Sequence, residues 1–374
     1  MTFEKSSGKS TAQVRIGIIG TSYWVDEFHL PILQNHPHAF VQALCGRNAA
    51  KVELLANKFG VKKTFTDYRQ MLDEGKLDAV IICTPEDLHH PMTMSALDKG
   101  LHVLCEKPMA FTADQALEML RRAEAQKVKH MVNFTMRYIP HFQYLKTLME
   151  TNYIGKPYHA HFHWLAGWNT DRKDYTWYYD PRHSHGDASE LGAHMIDQAR
   201  WYLGEIKSVQ ASIHSFVKRT GTDGNEMDDP ANDSAIYLLE FQNGAHATLH
   251  VSTVSQVSNE LRHAGQFISL HGQAGTLESR AGLWSANPIS EIVGLKRGAE
   301  KAETLQIPDS YFGSDGRENL FGFIDKPILG PRLFVDAILN DQPLHPNFYD
   351  GYKSQQVIQA ALESAKTGKA ISIN

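Results

Sequence analysis

Two short stretches of this 374-residue chain carry side chains that move protons. The first is Glu106-Lys107-Pro108, at the end of the apolar run Leu101–Cys105. A lysine there can donate to a ligand oxygen, and it acts as a base where its pKa is depressed. Ligands of parallel sheets gather outside such strand ends, and Pro108 stiffens the turn that carries the amine. The plain alternative is a solvated surface lysine. The second stretch is Glu190-Leu-Gly-Ala-His194-Met-Ile-Asp197. His194 and Asp197 stand i and i+3, so on a helix they share a face. Histidine titrates near neutral pH and suits a proton carrier, with an acid one turn away to orient it. Spacing alone favours the other reading, a buried histidine bonded to a carboxylate.

A third stretch, Gly17-Ile-Ile-Gly20-Thr-Ser22-Tyr-Trp24-Val25, follows the apolar run Val14–Ile19 and precedes helix-like sequence. A dinucleotide-binding turn at this place reads G-x-G-x-x-G. Here the three positions hold Gly20, Ser22 and Val25, so one glycine remains. Ser22 is small enough to let the backbone near a pyrophosphate, and its hydroxyl can donate. Val25 brings bulk where helix and strand usually pack closely, which predicts a helix standing slightly off the strand. Gly20, Ser22 and Trp24 are the expected cofactor contacts of this loop.

The elements that must position these groups fall into two textures. Residues up to about 139 alternate strand-like and helix-like stretches, the pattern of a parallel sheet with crossover helices. Strands are expected at Val14–Ile19, Phe40–Leu44, Asp78–Cys83, Leu101–Cys105 and His130–Asn133. Helices are expected at 49–59, between Asn48 as N-cap and Gly60, at 90–99, and from the capping box Thr112-x-x-Gln115 to about Gln126. Beyond Pro140 one helix, 141–150, gives way to longer alternating segments. Strands are expected at 158–164, 208–217, 233–241, 245–254, 266–271 and 276–278, with hairpin turns at Gln242-Asn-Gly244 and Gly272-Gln-Ala-Gly275. Two helices, 193–203 and 351–366, accompany them, and residues 280–330 show no clear periodicity. The expectation is a doubly wound α/β domain over residues 13–139. An α+β domain over 140–374 follows it, with a large, mostly antiparallel open sheet flanked by helices.

Composition narrows the class. A net charge of −5 argues against nucleic acid or an anionic membrane as partner. No apolar run reaches spanning length. The polar start, MTFEKSSGKSTAQ, lacks the apolar core of a signal peptide. Three cysteines without a CxxC fit a reducing compartment, and a cytoplasmic location is expected.

Several of these motifs together resemble the Gfo/Idh/MocA family of nicotinamide-dependent sugar and cyclitol oxidoreductases. Thr84-Pro-Glu-Asp-Leu-His89 is similar to its T-P-x-x-x-H, and Ala96-Leu-Asp-Lys-Gly100 to its A-L-x-x-G. Glu106-Lys107-Pro108 looks like its E-K-P at a strand end. Asn133-Phe-Thr-Met-Arg137, Gly155-Lys-Pro157, the His194–Asp197 helix and Asp350-Gly351 resemble its later motifs, in order, over roughly residues 14 to 370. The departures are Ser22 and Val25 in the first loop.

The resemblance implies hydride transfer between nicotinamide and a secondary alcohol or ketone of a sugar, sugar derivative or cyclitol. It puts the family's catalytic groups on Lys107, His194 and Asp197. Thr84, Pro85, His89, Glu106 and Lys107 would line the cofactor cleft. Their ordinary readings are turn chemistry and an acid pairing a lysine. Arg137 would hold an anionic or polyhydroxyl substrate, or pair with an acid between the domains. Trp177 and Arg182, in an aromatic-rich stretch, are further substrate candidates. NAD sites usually place an acid after the second strand, but here the sequence is Leu44-Cys45-Gly46-Arg47. Gly46 leaves room for a 2′-phosphate and Arg47 can grip it, so NADP is expected, with NAD as the other choice.

His159, His161 and His163 alternate along one strand and so do not converge on a point, and no metal is expected. They suit a sheet face that pairs subunits, so a homodimer or homotetramer through the second sheet is expected. Two other readings stand beside the enzyme: a non-catalytic dinucleotide sensor on the same scaffold, and a dehydrogenase of another hydroxy- or keto-acid family. The second does not predict E-K-P together with H-x-x-D.

Overall fold

The computed structural model describes residues 13–257, 265–282, 289–312 and 329–373. Six strands form a parallel sheet: β1 (Val14–Ile19), β2 (Ala39–Cys45), β3 (Lys63–Phe65), β4 (Ala79–Ile82), β5 (His102–Cys105) and β6 (His130–Val132). Their order is β3-β2-β1-β4-β5-β6, the doubly wound arrangement whose ligands sit where the order reverses, between β1 and β4. The crossover helices are α1 (Leu30–Gln34), α2 (Ala49–Phe59), α3 (Tyr68–Glu74), α4 (Glu86–Leu97) and α5 (Ala113–Gln126). The punctuation works as read. Asn48 accepts from the Lys51 N–H, Gly60 closes α2 at φ +70°, and Thr112 and Gln115 form a reciprocal capping box. α4 starts at Glu86, earlier than its apolar periodicity suggested, because its first turn is acidic.

After α6 (Pro140–Glu150) comes the second sheet. Its strands are β7 (Pro157–Leu165), β8 (Ile206–His214), β9 (Ser234–Phe241), β10 (His246–Ser252), β11 (Gly265–Gly272), β12 (Gly275–Gly282), β13 (Ile289–Lys296), β14 (Glu303–Thr304) and β15 (Ile371–Ser372). They run β14-β13-β12-β11-β7-β10-β9-β8-β15, antiparallel except where β7 meets β10. One face is buried by α7 (Asp187–Leu203) and α9 (Phe348–Thr367). The buried positions alternate with exposed ones, as in β9, where Ala235, Tyr237, Leu239 and Phe241 point inward. Both hairpin turns join the strands expected of them.

β13 and β14 lie within the stretch that showed no periodicity, whose residues 283–288 and 313–328 lie outside the described residues. The polar start, residues 1–12, lies outside them too. α8 (Gly330–Asn340) packs back on α1 and β1, and its Phe334 and Val335 share a core with Ile16, Ile18 and Leu33. α9 packs against α5 as well as β8, so the C-terminal helices lace the two sheets together.

Candidate active site

In the loop after β1 the one remaining glycine makes a close backbone contact. Gly20 has φ +129°, and a Cβ there would lie 2.1 Å from the Cys83 carbonyl oxygen. No side chain fits that contact. The helical turn that follows begins at Tyr23, and Val25–His29 forms a π-helical turn before α1. A π turn is wider than an α turn. Val25 is wholly buried in it, so the bulk is housed by widening the turn. Ser22 Oγ lies 3.0 Å from Cys83 Sγ at the edge of a cavity of about 520 Å³. That cavity runs across the strand ends from Gly46, Arg47 and Lys51 beyond β2 to Glu106 and Lys107 beyond β5. Gly20, Ser22, Trp24, Thr84, Pro85, Trp177 and Glu190 also line it. Gly46 is another close approach: a Cβ would lie 2.8 Å from Thr21 Cγ2.

At the β5 end, Lys107 Nζ donates to Glu190 Oε2 at 2.6 Å, and more loosely to the Glu190 carbonyl at 3.4 Å. Burial pulls the lysine pKa down, but Glu190, then Glu106 and Glu86, push it up, and the acids prevail. Lys107 is therefore held as an ammonium, not poised as a base by a depressed pKa. Burial raises Glu190, and Lys107 opposes it. His194 lies one turn further along α7, on the same face as Glu190. Burial, with the Lys107 charge added, holds its pKa well below the ordinary value, so the imidazole is neutral. Its Nδ1 is buried without a hydrogen-bond partner among the described residues, and the ring lies against Phe134 and Trp164, with centroids 6.4 and 5.8 Å away. The ammonium and the carboxylate thus meet at the cavity's end, and the neutral imidazole lies buried behind them, within reach of the Lys107 charge.

Other candidates are brought elsewhere. Asp197 takes a two-point contact from Arg137, at 2.8 and 2.6 Å, and Arg137 also donates to Asp350 at 3.0 Å. This group bolts α7 to the turn after β6 and to α9, and leaves Arg137 paired with acids. His89 does not face the cavity. It is buried with its ring nitrogens at the carbonyl oxygens of Pro108 (2.6 Å) and Thr84 (2.9 Å), so it braces two lining turns from behind. Arg182 is held by Asp180 at 2.5 and 2.9 Å and points largely to solvent.

Glu106 lines the cavity but is occupied: His29 Nε2 and Asn133 Nδ2 both donate to its Oε1, at 2.8 and 2.6 Å. His29, Cys83 and Glu106 are the one grouping among the described residues that brings three potential metal-ligating atoms within 4.8 Å. The histidines of β7 form no such group there. Sequence reasoning missed Glu190, although its i, i+4 spacing to His194 was legible. It also missed Glu86, His29 and Asp350, whose partners lie far away along the chain.

Comparison with known proteins gives the same frame. A family model described as "Oxidoreductase family, NAD-binding Rossmann fold" matches residues 14–134. A second, "GFO/IDH/MocA C-terminal domain", matches residues 142–278. D-glucoside 3-dehydrogenase of Escherichia coli is 26% identical over 98% of this chain and 99% of its own. Levoglucosan dehydrogenase of Pseudarthrobacter phenanthrenivorans is 24% identical over 83% of each chain. Among solved structures, an NAD-binding oxidoreductase from Klebsiella pneumoniae superposes with a TM-score of 0.81 at 26% identity, covering 97% of this chain and 100% of the other. A levoglucosan dehydrogenase complex with NADH has a TM-score of 0.82 at 21% identity, covering 97% and 99%, a likeness of fold.

Proposed function

The chain belongs to the Gfo/Idh/MocA oxidoreductase family, and on that premise we propose that it oxidises a secondary alcohol of a sugar, sugar derivative or cyclitol, or reduces the ketone. The observation that carries this reading is the Lys107–Glu190 pair at the end of the cavity that starts at Gly20 and Arg47, with buried His194 one turn along α7, near enough to feel the Lys107 charge. Bound nicotinamide supplies or accepts the hydride. The rest of the chemistry is handling of the hydroxyl proton. His194, neutral and buried, takes that proton. Lys107, a fixed ammonium, donates a hydrogen bond to the same oxygen and steadies its developing negative charge. Glu190 aims the ammonium. Aromatic Trp177 at the rim suits a sugar ring.

The cavity fits a dinucleotide. Gly20 and Gly46 let the loops after β1 and β2 close onto Cys83 and Thr21 at the cavity's edge, and a helical turn starts just beyond Ser22. Gly20, Ser22, Trp24, Thr84, Pro85 and Glu106 would hold it. NADP is the preferred form: Arg47 and Lys51 line the β2 end, where an NAD site would place an acid. Three free, buried cysteines support a reducing, cytoplasmic setting, and among the described residues no helix is long and apolar enough to cross a membrane. The open face of the second sheet, where His159, His161, His246 and His271 stack beside exposed Ile236 and Leu238, supports homo-oligomer formation.

The test is nicotinamide absorbance with NADP⁺ or NAD⁺ against a panel of free sugars, glycosides and inositols. Turnover of at least one, abolished in Lys107→Ala with cofactor binding kept, supports the reading. Cofactor binding with no turnover across the panel favours a dinucleotide sensor instead.

A further inference from the structure

Glu86 is a buried carboxylate that the chemistry above does not use. It opens α4 one residue after Pro85, and Thr84, Pro85 and Leu88 of that turn line the cavity. Glu86 itself is 1% exposed and faces the other way. Its Oε1 accepts from His185 Nδ1 at 2.9 Å, and its Oε2 accepts from Ser189 Oγ at 2.9 Å and the His185 N–H at 3.3 Å. The donors belong to His185, just before α7, and Ser189 in its first turn, the residue before Glu190. Across that segment stands Asn232. Its side chain accepts from the Ala188 N–H at 2.8 Å and donates to the His185 carbonyl at 2.5 Å. The His185 ring also lies on Phe111, with centroids 4.0 Å apart. The first turn of α7 is thus gripped between Asn232, just before β9, and α4.

We propose that Glu86 is a positioning residue that ties the cofactor-lining turn 84–88 to the Lys107–Glu190 pair. A nicotinamide dinucleotide lodged against that turn steadies the proton-handling groups through this carboxylate. The identity of the ligand rests on the oxidoreductase reading; the bond network does not. A buried charge with three donors cannot lose them cheaply, so α7's first turn follows α4. Asp87, one residue on, provides the contrast. It bonds His183 Nδ1 at 2.9 Å in a partly exposed pair and touches nothing in the cavity. The titratable and charged groups near Glu86 are His89 and Asp87 on its own helix, Glu106 and Lys107 after β5, and His185 and Glu190 at α7.

The experiment uses full-length Glu86→Gln, with Asp87→Asn as control. Hydrogen–deuterium exchange is read over residues 185–191 without and with NADPH, alongside turnover. Glu86→Gln is expected to speed exchange there about tenfold without cofactor, and NADPH no longer slows it, although binding persists. Its kcat is expected to fall about 10- to 100-fold with the cofactor KM within about twofold. The basic limb of its pH profile moves to lower pH, because a negative charge that raises Lys107 is gone. Asp87→Asn changes none of these. Wild-type protection over 185–191 in Glu86→Gln overturns the proposal, and so does a loss of kcat matched by loss of cofactor affinity. If Glu86→Gln does not fold, Ser189→Ala removes one donor without burying a charge. It is expected to show the same loosening in smaller degree, and unchanged exchange there overturns the proposal. The exchange without cofactor stands even if no sugar is oxidised, so failure of this link and failure of the enzymatic reading are told apart.

Discussion

α7 meets the turns after β5 and β6 through two buried cation–carboxylate pairs, and they differ in kind. Glu190 and Asp197 lie two helical turns apart on one side of α7. At Asp197 the partner is a planar guanidinium that grips both oxygens and reaches Asp350 as well. At Glu190 the partner is an ammonium with one short bond. Among the described residues, Lys107 Nζ is bonded only to Glu190, which leaves a donor for a ligand in the cavity. Arg137 is closed on two acids; Lys107 is held on one side only, and in the proposed function it is the working group. Arginine's fixed fork suits the first task and lysine's rotatable donors the second. On the proposed function, two charged pairs on one helix divide structure from chemistry.

Lys107→Met tests that division most severely. Turnover is expected to fall about 1000-fold or more, with thermal stability nearly kept and cofactor binding measurable by fluorescence. Arg137→Met does the opposite. It leaves Asp197 and Asp350 buried without their counter-ion, and denaturant unfolding is expected to show a loss of about 3–5 kcal/mol. A stable Arg137→Met protein that has lost only kcat would mean that the bolt is also a substrate ligand. Glu190→Gln sits between them. Glu190 raises the Lys107 pKa, so its loss lowers that pKa and moves the basic limb of the pH–rate profile to lower pH; an unmoved limb breaks the pairing argument. At the other end of the cleft, Arg47→Ser is expected to weaken NADPH about 10-fold and leave NADH unchanged in a fluorescence titration. Ser22→Gly is the smallest: NADPH binding within about twofold of wild type, because Gly20 makes the close turn. A large loss there would make the serine a specific phosphate ligand.

Much of the scaffold was legible because it is local. The capping box at Thr112, the Gly60 stop and the two hairpin turns are short-range chemistry, and each structure follows it. Lys107 and His194 were legible as motif positions. What sequence hid is long-range pairing. The Asp197–Arg137 pair spans 60 residues, Glu106–His29 spans 77 and Glu86–Ser189 spans 103, and nothing in spacing chooses among acids for a partner. That is why Asp197 read as a companion of His194, and Glu190 did not. The π turn at Val25 was hidden for another reason: bulk at that position signals crowding but not how the backbone relieves it. α8 went unread although Pro331 and the apolar face of Phe334, Val335 and Ala337 mark it locally; what spacing could not give is that this face closes over the first sheet from the far end of the chain.

The most direct measurement is a crystal structure with NADP⁺ and a sugar that the enzyme turns over. Lys107 Nζ and a His194 ring nitrogen are expected within hydrogen-bond reach of one sugar hydroxyl, with Glu190 still on the ammonium and Arg137 still closed on Asp197 and Asp350. A sugar hydroxyl bound by Arg137 or Asp197 instead, with Lys107 remote from the reacting carbon, would contradict the division of the two pairs.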